Sequence, residues 1–493
     1  MLLLSSLFQK IRTYSTKVEN PRLRNYDTFN PTLRATIQQL DAISPRFELA
    51  KNQLEILYHP ADFYNLIKQK IRSAENRIFL SSLYIGKTQH ELVECLQDSL
   101  SQKPELKVDI LVDYLRSTRE SPNPSPASLL APLVEKFGKE RVNIRFYHTP
   151  HLSGIKKALL PKRINEGWGL QHMKICGFDK EVILTGANLS EDYFTNRQDR
   201  YYLFKNAPLA DYYFGLQKAV SSISYQLIPS KTSEKYTLEW PSSNFASEPH
   251  LNVERFIKES TRLVLPLLRS PVTKPEYLAD PEIIVYPVSS LKPIMNPDRS
   301  TEKPAILRLL TLLNDPDVKW AFTAGYFNIH PEISSRFIES HAKGTVITAA
   351  PEANSFYKSK GISKYLPDAY LYKAQLFLDQ VRRKDCVRLL EWQNGIVNTP
   401  TGWSYHAKGL WLSLSGENMP SITVVGSSNY TRRAYALDLE TNAVVITKNE
   451  SVKEQMAKEL ENLTSHTTQL TDFSHRHISP GVKIATTILS KML

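Results

Sequence analysis

Gln171-His172-Met173-Lys174-Ile175-Cys176-Gly177-Phe178-Asp179 leads into Thr185-Gly186-Ala187-Asn188, and the pattern returns as Tyr405-His406-Ala407-Lys408 leading into Val425-Gly426-Ser427-Ser428-Asn429. Each copy sets a His and a Lys two positions apart, then an Asn beyond a second apolar run. Leu170–Phe178 reads as a strand with Glu181–Thr185 as its hairpin partner; Trp403–Leu414 and Ser421–Val425 read as the second such pair. Side chains alternate faces along a strand, so His172 and Lys174 share a face, as do His406 and Lys408. Asp179 is out of phase with His172 and is expected to support the fold rather than react. Its counterpart is Ser413, which leaves the second copy incomplete. Asp199 follows Asn188 at the same spacing as Glu440 follows Asn429, and these two acids are the candidates to orient the imidazoles.

The repetition extends outward. Arg77–Gly86 reads as a buried strand and its exit loop, followed by a helix near His90–Leu100 and a strand at Val108–Val112. Lys319–Asn328 has the same shape, followed by a helix near Pro331–His341 and a strand at Thr345–Thr348. One α/β unit therefore occurs twice in the same order. The expected fold class is α/β: two α/β/α halves packed as an intrachain pseudo-dimer around mixed sheets. The expected boundaries are a leader at 1–18, a first half at 45–228, a linker or packing segment at 229–287, a second half at 288–470 and a tail at 471–493. A helix near Asn252–Leu265 is expected to stop at Pro266. Leu460–Leu470 reads as a helix end and loop, and Val482–Leu493 as a short amphipathic helix.

The chain has 493 residues, enough for two domains, and its net charge of +12 favours an anionic partner: nucleic acid, an acidic membrane surface or a phosphorylated substrate. Cys95, Cys176 and Cys386 lie far apart, which argues against a disulfide framework or a cysteine metal site. No apolar run reaches the roughly 18–20 residues of a membrane-spanning helix. Lys10, Arg12 and Lys17 alternate with apolar and hydroxyl residues, and no acid precedes Glu19, which is the composition of a mitochondrial presequence.

The repeated residues suit phosphodiester chemistry. A neutral imidazole attacks phosphorus and divides the reaction in two. A protonated imidazole across the site gives a proton to the leaving oxygen. Lys174, Lys408, Asn188 and Asn429 set charge and donors around the phosphoryl oxygens. The scheme requires no metal or other cofactor.

These motifs resemble the phospholipase D superfamily, whose members pair two His-x-Lys-x-x-x-x-Asp motifs across a pseudo-twofold interface. The flanks Tyr147–Gly154, Gly169–His172, Thr185–Ser190, Asp192–Tyr201, Pro351–Asn354, Ser359–Gly361 and Gly402–Trp411 are similar to its mitochondrial phosphatidylglycerophosphate synthases. The resemblance implies two phospholipase D-like halves. It also implies transfer of a phosphatidyl group from CDP-diacylglycerol to glycerol 3-phosphate with release of CMP, at the mitochondrial inner membrane as a peripheral protein on an anionic surface, with no nucleic-acid partner. Because the first motif is the complete one, His172 is read as the nucleophile and His406 as the acid and base, with the reverse assignment open.

Other signals are weaker. Gly86-Lys87-Thr88 resembles the end of a phosphate-binding loop and suits a helix N-terminus that contacts a substrate phosphate. Arg116, Arg119, Lys358 and Lys360 are further candidates for the acceptor phosphate or the CMP moiety. Lys156, Lys157, Lys162 and Arg163 form a basic loop suited either to solvent or to anionic headgroups, and His148 and His151 read as loop residues. The competing functions are a nucleic-acid phosphodiesterase of the same superfamily, a lipid-binding pseudoenzyme, and a sibling cardiolipin synthase or phospholipase D.

Overall fold

The computed structural model describes residues 28–121, 123–152, 162–270, 277–473 and 476–489. The leader read at 1–18, Lys156 and Lys157, and the end of the tail lie outside the described residues. The strands, in chain order, are β1 (Phe47–Leu49), β2 (Leu54–Leu57), β3 (Arg77–Ser81), β4 (Lys107–Asp113), β5 (Val142–Tyr147), β6 (Ile175–Phe178), β7 (Glu181–Thr185), β8 (Arg197–Gln198), β9 (Tyr201–Phe204), β10 (Tyr225–Pro229) and β11 (Tyr236–Glu239). They continue as β12 (Ile283–Ser290), β13 (Lys319–Ala324), β14 (Lys343–Ala349), β15 (Val387–Trp392), β16 (Ser404–Tyr405), β17 (Lys408–Ser413), β18 (Ile422–Gly426), β19 (Glu440–Thr447) and β20 (Thr467–Leu470).

The duplication is visible in strand order. One sheet contains β10-β5-β4-β3-β6-β7-β9-β2 and the other β20-β15-β14-β13-β17-β18-β19-β12. β3, β4 and β5 are parallel to one another, as are β13, β14 and β15, while the motif strands β6 and β17 run antiparallel to β3 and β13. Both sheets are covered on both faces, so their inner strands are continuous apolar runs rather than alternating ones. One apolar cluster, with Met173, Ile175 and Tyr202 from the first half and Trp411, Val425 and Val445 from the second, is shared between the halves. Two further clusters lie under the outer helices of each half.

A buried ion pair crosses the same interface. Arg200 Nε donates to Glu459 Oε1 at 2.8 Å, and its other nitrogens donate to Val424 O and Thr423 Oγ1. Gly409 has φ +151°, and a Cβ there would stand 1.8 Å from Arg200 Nη1, so the guanidinium needs a glycine beneath it.

The structure corrects several expectations. The ladder does not span Leu170–Phe178; it begins at Ile175, because the backbone around His172 is hydrogen-bonded across the halves instead. β1, placed with the first half by sequence, pairs with β12 in the second sheet, which itself begins at Ile283 rather than 288. The segment 229–287 holds β11 and a helix, Val253–Arg269, that runs through Pro266. Pro266 lies in the last turn, where its missing N–H costs one hydrogen bond without ending the helix. Thr467–Leu470, expected as loop, is an edge strand on β15.

Candidate active site

The two halves exchange backbone bonds where the motifs meet. Gln171 bridges Leu439 in parallel, with His172 N donating to Leu439 O at 2.9 Å and Leu439 N to Leu170 O at 2.8 Å. In the other direction β16 pairs in parallel with β8, setting Tyr405 opposite Gln198, and His406 N donates to Gln198 O at 2.9 Å. Each His is thus laid beside the residue that precedes the acid of the other half.

The side chains follow. His172 Nδ1 lies 2.8 Å from Glu440 Oε1, and His406 Nδ1 lies 2.6 Å from Asp199 Oδ2. Ser427 donates its hydroxyl to the second oxygen of Glu440. Lys174 Nζ donates to His172 O at 2.7 Å, and Lys408 Nζ to His406 O at 3.0 Å, so each motif lysine is tied to its own histidine. Lys408 Nζ also stands 2.8 Å from His406 Nδ1 and 3.8 Å from Asp199 Oδ2. Gly186 lets the halves close: a Cβ there would meet Asp199 Oδ1 at 2.5 Å and Lys408 Nζ at 2.8 Å.

The two imidazoles differ in their outer nitrogen. Tyr193 OH lies 3.2 Å from His406 Nε2, and the rings of Tyr193 and Tyr326 stand edge-on to His406 at 5.1 and 5.4 Å. Among the described residues no hydrogen bond reaches His172 Nε2. Asn188 Nδ2 donates to Tyr193 OH at 3.4 Å, which links the first-half Asn to the second-half His. Asn429 is half-buried beside its motif.

Burial dominates the electrostatics. It lowers the pKa of His172 well below the ordinary value, with further lowering from Lys174, Lys408 and His406, and it lowers His406 likewise. It brings Lys174 down to about 7 and lowers Lys408. It raises Asp199, and raises Glu440 well above the usual carboxylate range. Burial therefore favours neutral resting imidazoles, and with Glu440 against Nδ1 it is Nε2 of His172 that has no hydrogen bond among the described residues.

Asp179, counted with the site from its motif, is not in it. It sits at the β6–β7 turn with φ +49° and accepts the backbone N–H groups of Glu75, Asn76 and Arg77. Gly86, Lys87, Thr88 and Arg116 do converge, on a cleft of about 490 Å³ that also contains Glu120, Ser190 and Asp192. Arg116 stacks over the Tyr84 ring at 4.0 Å. Arg119 faces a different cleft and is paired with Glu166 at 2.9 Å. Lys358 and Lys360 are exposed on a surface loop. His148 is buried and bonds Thr149 O through Nδ1. Spacing gave no indication of Tyr193, although it lies in the flank shared with the resembled family; Ser427 lay within the quoted motif but was not singled out. No cluster of three or more His, Cys, Asp or Glu suited to a metal is present among the described residues.

No protein-family model matches the chain. It is 49% identical over 468 residues, 91% of this chain and 89% of the relative, to a CDP-diacylglycerol–glycerol-3-phosphate 3-phosphatidyltransferase of Saccharomyces pastorianus. It is 32% identical over 92% of its length, and 86% of the relative's, to a protein of Gallus gallus with the same name and the designation mitochondrial. Its fold is similar to that of a solved phosphatidylserine synthase from Haemophilus influenzae, with a TM-score of 0.71 over 94% of this chain and 100% of that one, at 19% identity.

Proposed function

The chain belongs to the CDP-diacylglycerol–glycerol-3-phosphate 3-phosphatidyltransferases, and from that membership we propose that it works through a phosphatidyl-histidine on His172. The reaction transfers the phosphatidyl group of CDP-diacylglycerol to glycerol 3-phosphate and releases CMP. In the first step the Nε2 lone pair of His172 forms a bond to the diacylglycerol-bearing phosphorus. The bond from that phosphorus to the bridging oxygen breaks, and His406 protonates the departing CMP. In the second step His406 takes the proton of the glycerol hydroxyl. The new oxygen–phosphorus bond forms as the His172–phosphorus bond breaks, which restores both imidazoles. Lys174 and Lys408 offset the charge on the phosphoryl oxygens. The entering diphosphate adds negative charge beside His406 and favours its protonated form.

The observation that carries the assignment is the contrast between the imidazoles: Glu440 holds His172 Nδ1 at 2.8 Å while Nε2 is unengaged, whereas His406 contacts Asp199, Lys408 and Tyr193. The test is exchange of labelled CMP into CDP-diacylglycerol without acceptor, with the adduct site read by mass spectrometry. Exchange that survives only with His172 intact, and an adduct on His172, are expected. Transfer without exchange, or an adduct on His406, would overturn the assignment.

The cleft that brings Gly86, Lys87, Thr88 and Arg116 together is a candidate subsite for a polar, hydroxyl-bearing portion of a substrate, because carboxylates line it alongside the cations. A mitochondrial setting is supported by the name of the Gallus gallus relative and by the acid-free basic leader. No helix among the described residues is long and apolar enough to cross a membrane. A lipid substrate together with the net charge of +12 favours work at an anionic bilayer surface.

A further inference from the structure

Among the described residues, Leu251, Tyr277, Leu278 and Ile396 are large apolar side chains exposed elsewhere on the protein. A larger group gathers in one region of the second half: Ile362 and Tyr365 just before the helix Leu366–Val381, Leu376 on that helix, and Ile484, Ile488 and Leu489 at the C-terminal helix. Ile362 is 79% exposed and Ile488 73%, values at which an apolar side chain gains nothing from the fold. In the helix Pro480–Ile488, Ile484 and Ile488 stand one turn apart and share an outward face, while Val482 packs on the core. Tyr365, Tyr372 and Leu376 fall on one stripe at helical spacing, and Lys483 lies over the Tyr372 ring at 5.8 Å, so the C-terminal helix flanks that stripe.

Charge and position give this surface a partner. No acidic residue occurs between Asn354 and Asp368, where Lys358, Lys360 and Lys364 alternate with Phe356, Tyr357, Ile362 and Tyr365. The helix Pro480–Ile488 likewise carries Lys483 and no acid. Lysines and tyrosines interleaved with aliphatic side chains are the composition of a segment that sits at a lipid–water boundary. The surface also adjoins the active site. Tyr326, edge-on to His406, is in ring contact with Phe356 at 5.8 Å and Tyr370 at 5.3 Å, and its hydroxyl meets Ser355 Oγ at 2.9 Å. Arg476 anchors the root of the C-terminal helix to Glu391 and Glu352.

We propose that the 355–365 loop, the outer stripe of the helix Leu366–Val381 and the C-terminal helix together form the face that docks on an anionic bilayer, on the side of the active site where Tyr326 meets His406; this rests on the membrane-surface reading above. Ile362, Ile484, Ile488 and Leu489 enter the acyl boundary, and Lys358, Lys360, Lys364 and Lys483 meet the headgroup phosphates. Lys358 and Lys360 then serve the surface rather than the reacting substrate.

The test uses the full chain in flotation with phosphatidylcholine vesicles, with and without phosphatidylglycerol. The protein is expected to float with the phosphatidylglycerol vesicles, less so at high salt. Ile362→Asp combined with Ile488→Asp is expected to weaken binding on the order of tenfold or more, with an unchanged thermal midpoint. Since that variant could misfold, Ile362→Trp and Ile488→Trp supply a second measurement. Each tryptophan is expected to shift to the blue on vesicle addition and to be quenched by brominated acyl chains. If the unmodified chain floats with neither vesicle, the membrane-surface reading itself fails. If it floats but both tryptophans stay silent, only the assignment of this face fails. If Ile488→Asp instead dissociates an oligomer in vesicle-free buffer, the face is a contact between copies of the chain and the proposal is overturned.

Discussion

Glu440 and His172 lie 268 positions apart in sequence and 2.8 Å apart in space, and Asp199 and His406 are related in the same crossed way. A carboxylate on Nδ1 fixes the tautomer that leaves Nε2 free to react, and it balances the charge of a phosphorylated or protonated imidazole. Glu440→Gln keeps the shape but cannot become the carboxylate that a phosphorylated His172 calls for. It is expected to lower kcat by roughly a hundredfold or more with little change in KM, and to slow labelling of His172 by CDP-diacylglycerol to the same degree. Adduct formation at the unmodified rate would show that the crossed contact has no role in the first step. The types and spacing of these groups were legible in sequence, since Asn188-to-Asp199 and Asn429-to-Glu440 repeat. Their partners were not, because identical spacings in two halves do not reveal which acid faces which imidazole. That depends on two parallel backbone pairings, Gln171 with Leu439 and Tyr405 with Gln198, formed between residues remote in sequence.

At the scale of elements, Asp179 shows how a motif residue can belong to the fold. Its carboxylate gathers the N–H groups of Glu75, Asn76 and Arg77 at 2.8, 2.9 and 2.9 Å, at the entry to β3. Partial burial raises its pKa, but these N–H groups together with Arg77 outweigh that and hold it below the ordinary value. Its stabilising effect is therefore present above the unfolded carboxylate pKa and is lost as pH falls through the lower folded value. Asp179→Ala is expected to cost about 1–3 kcal/mol, because three backbone donors lose their acceptor, while the folded fraction keeps its kcat. Urea denaturation paired with active-site titration checks this; a fall in kcat per folded site would place Asp179 in the chemistry after all. Alternation along an unbroken strand set Asp179 apart from His172 in sequence; the strand begins only at Ile175, and it is the turn position that gives Asp179 its role. The paired α/β units were legible because they are written in local apolar runs. β20 and the helix across Pro266 were not: the short, polar Thr467–Leu470 becomes a strand only because β15 offers an edge, and tertiary packing carries the helix through its proline.

For the whole molecule, building a polar site into packed sheets means burying acids around it, and this should mark the stability of the entire chain. Glu302 is the clearest case. It is fully buried in the first turn of the helix Glu302–Leu309, near Ser428, Tyr435 and Asn442, and burial pushes its pKa up to about 7. Glu440, also buried, feels its charge. From about pH 4.5, the ordinary value, up to 7, the folded chain retains a proton that the unfolded chain has released. Stability from this group therefore falls as pH rises across that window, by about 3 kcal/mol in total. Glu302→Gln replaces the protonated acid with a neutral group of the same shape and removes the slope. The variant should match the unmodified chain near pH 5 and unfold at higher urea concentration at pH 8. The comparison is a difference between two proteins sharing every other titrating group, so contributions from His172, His406 and Lys174 cancel to first order. Parallel urea midpoints across the whole pH range would mean that burial does not raise the Glu302 pKa in the folded chain.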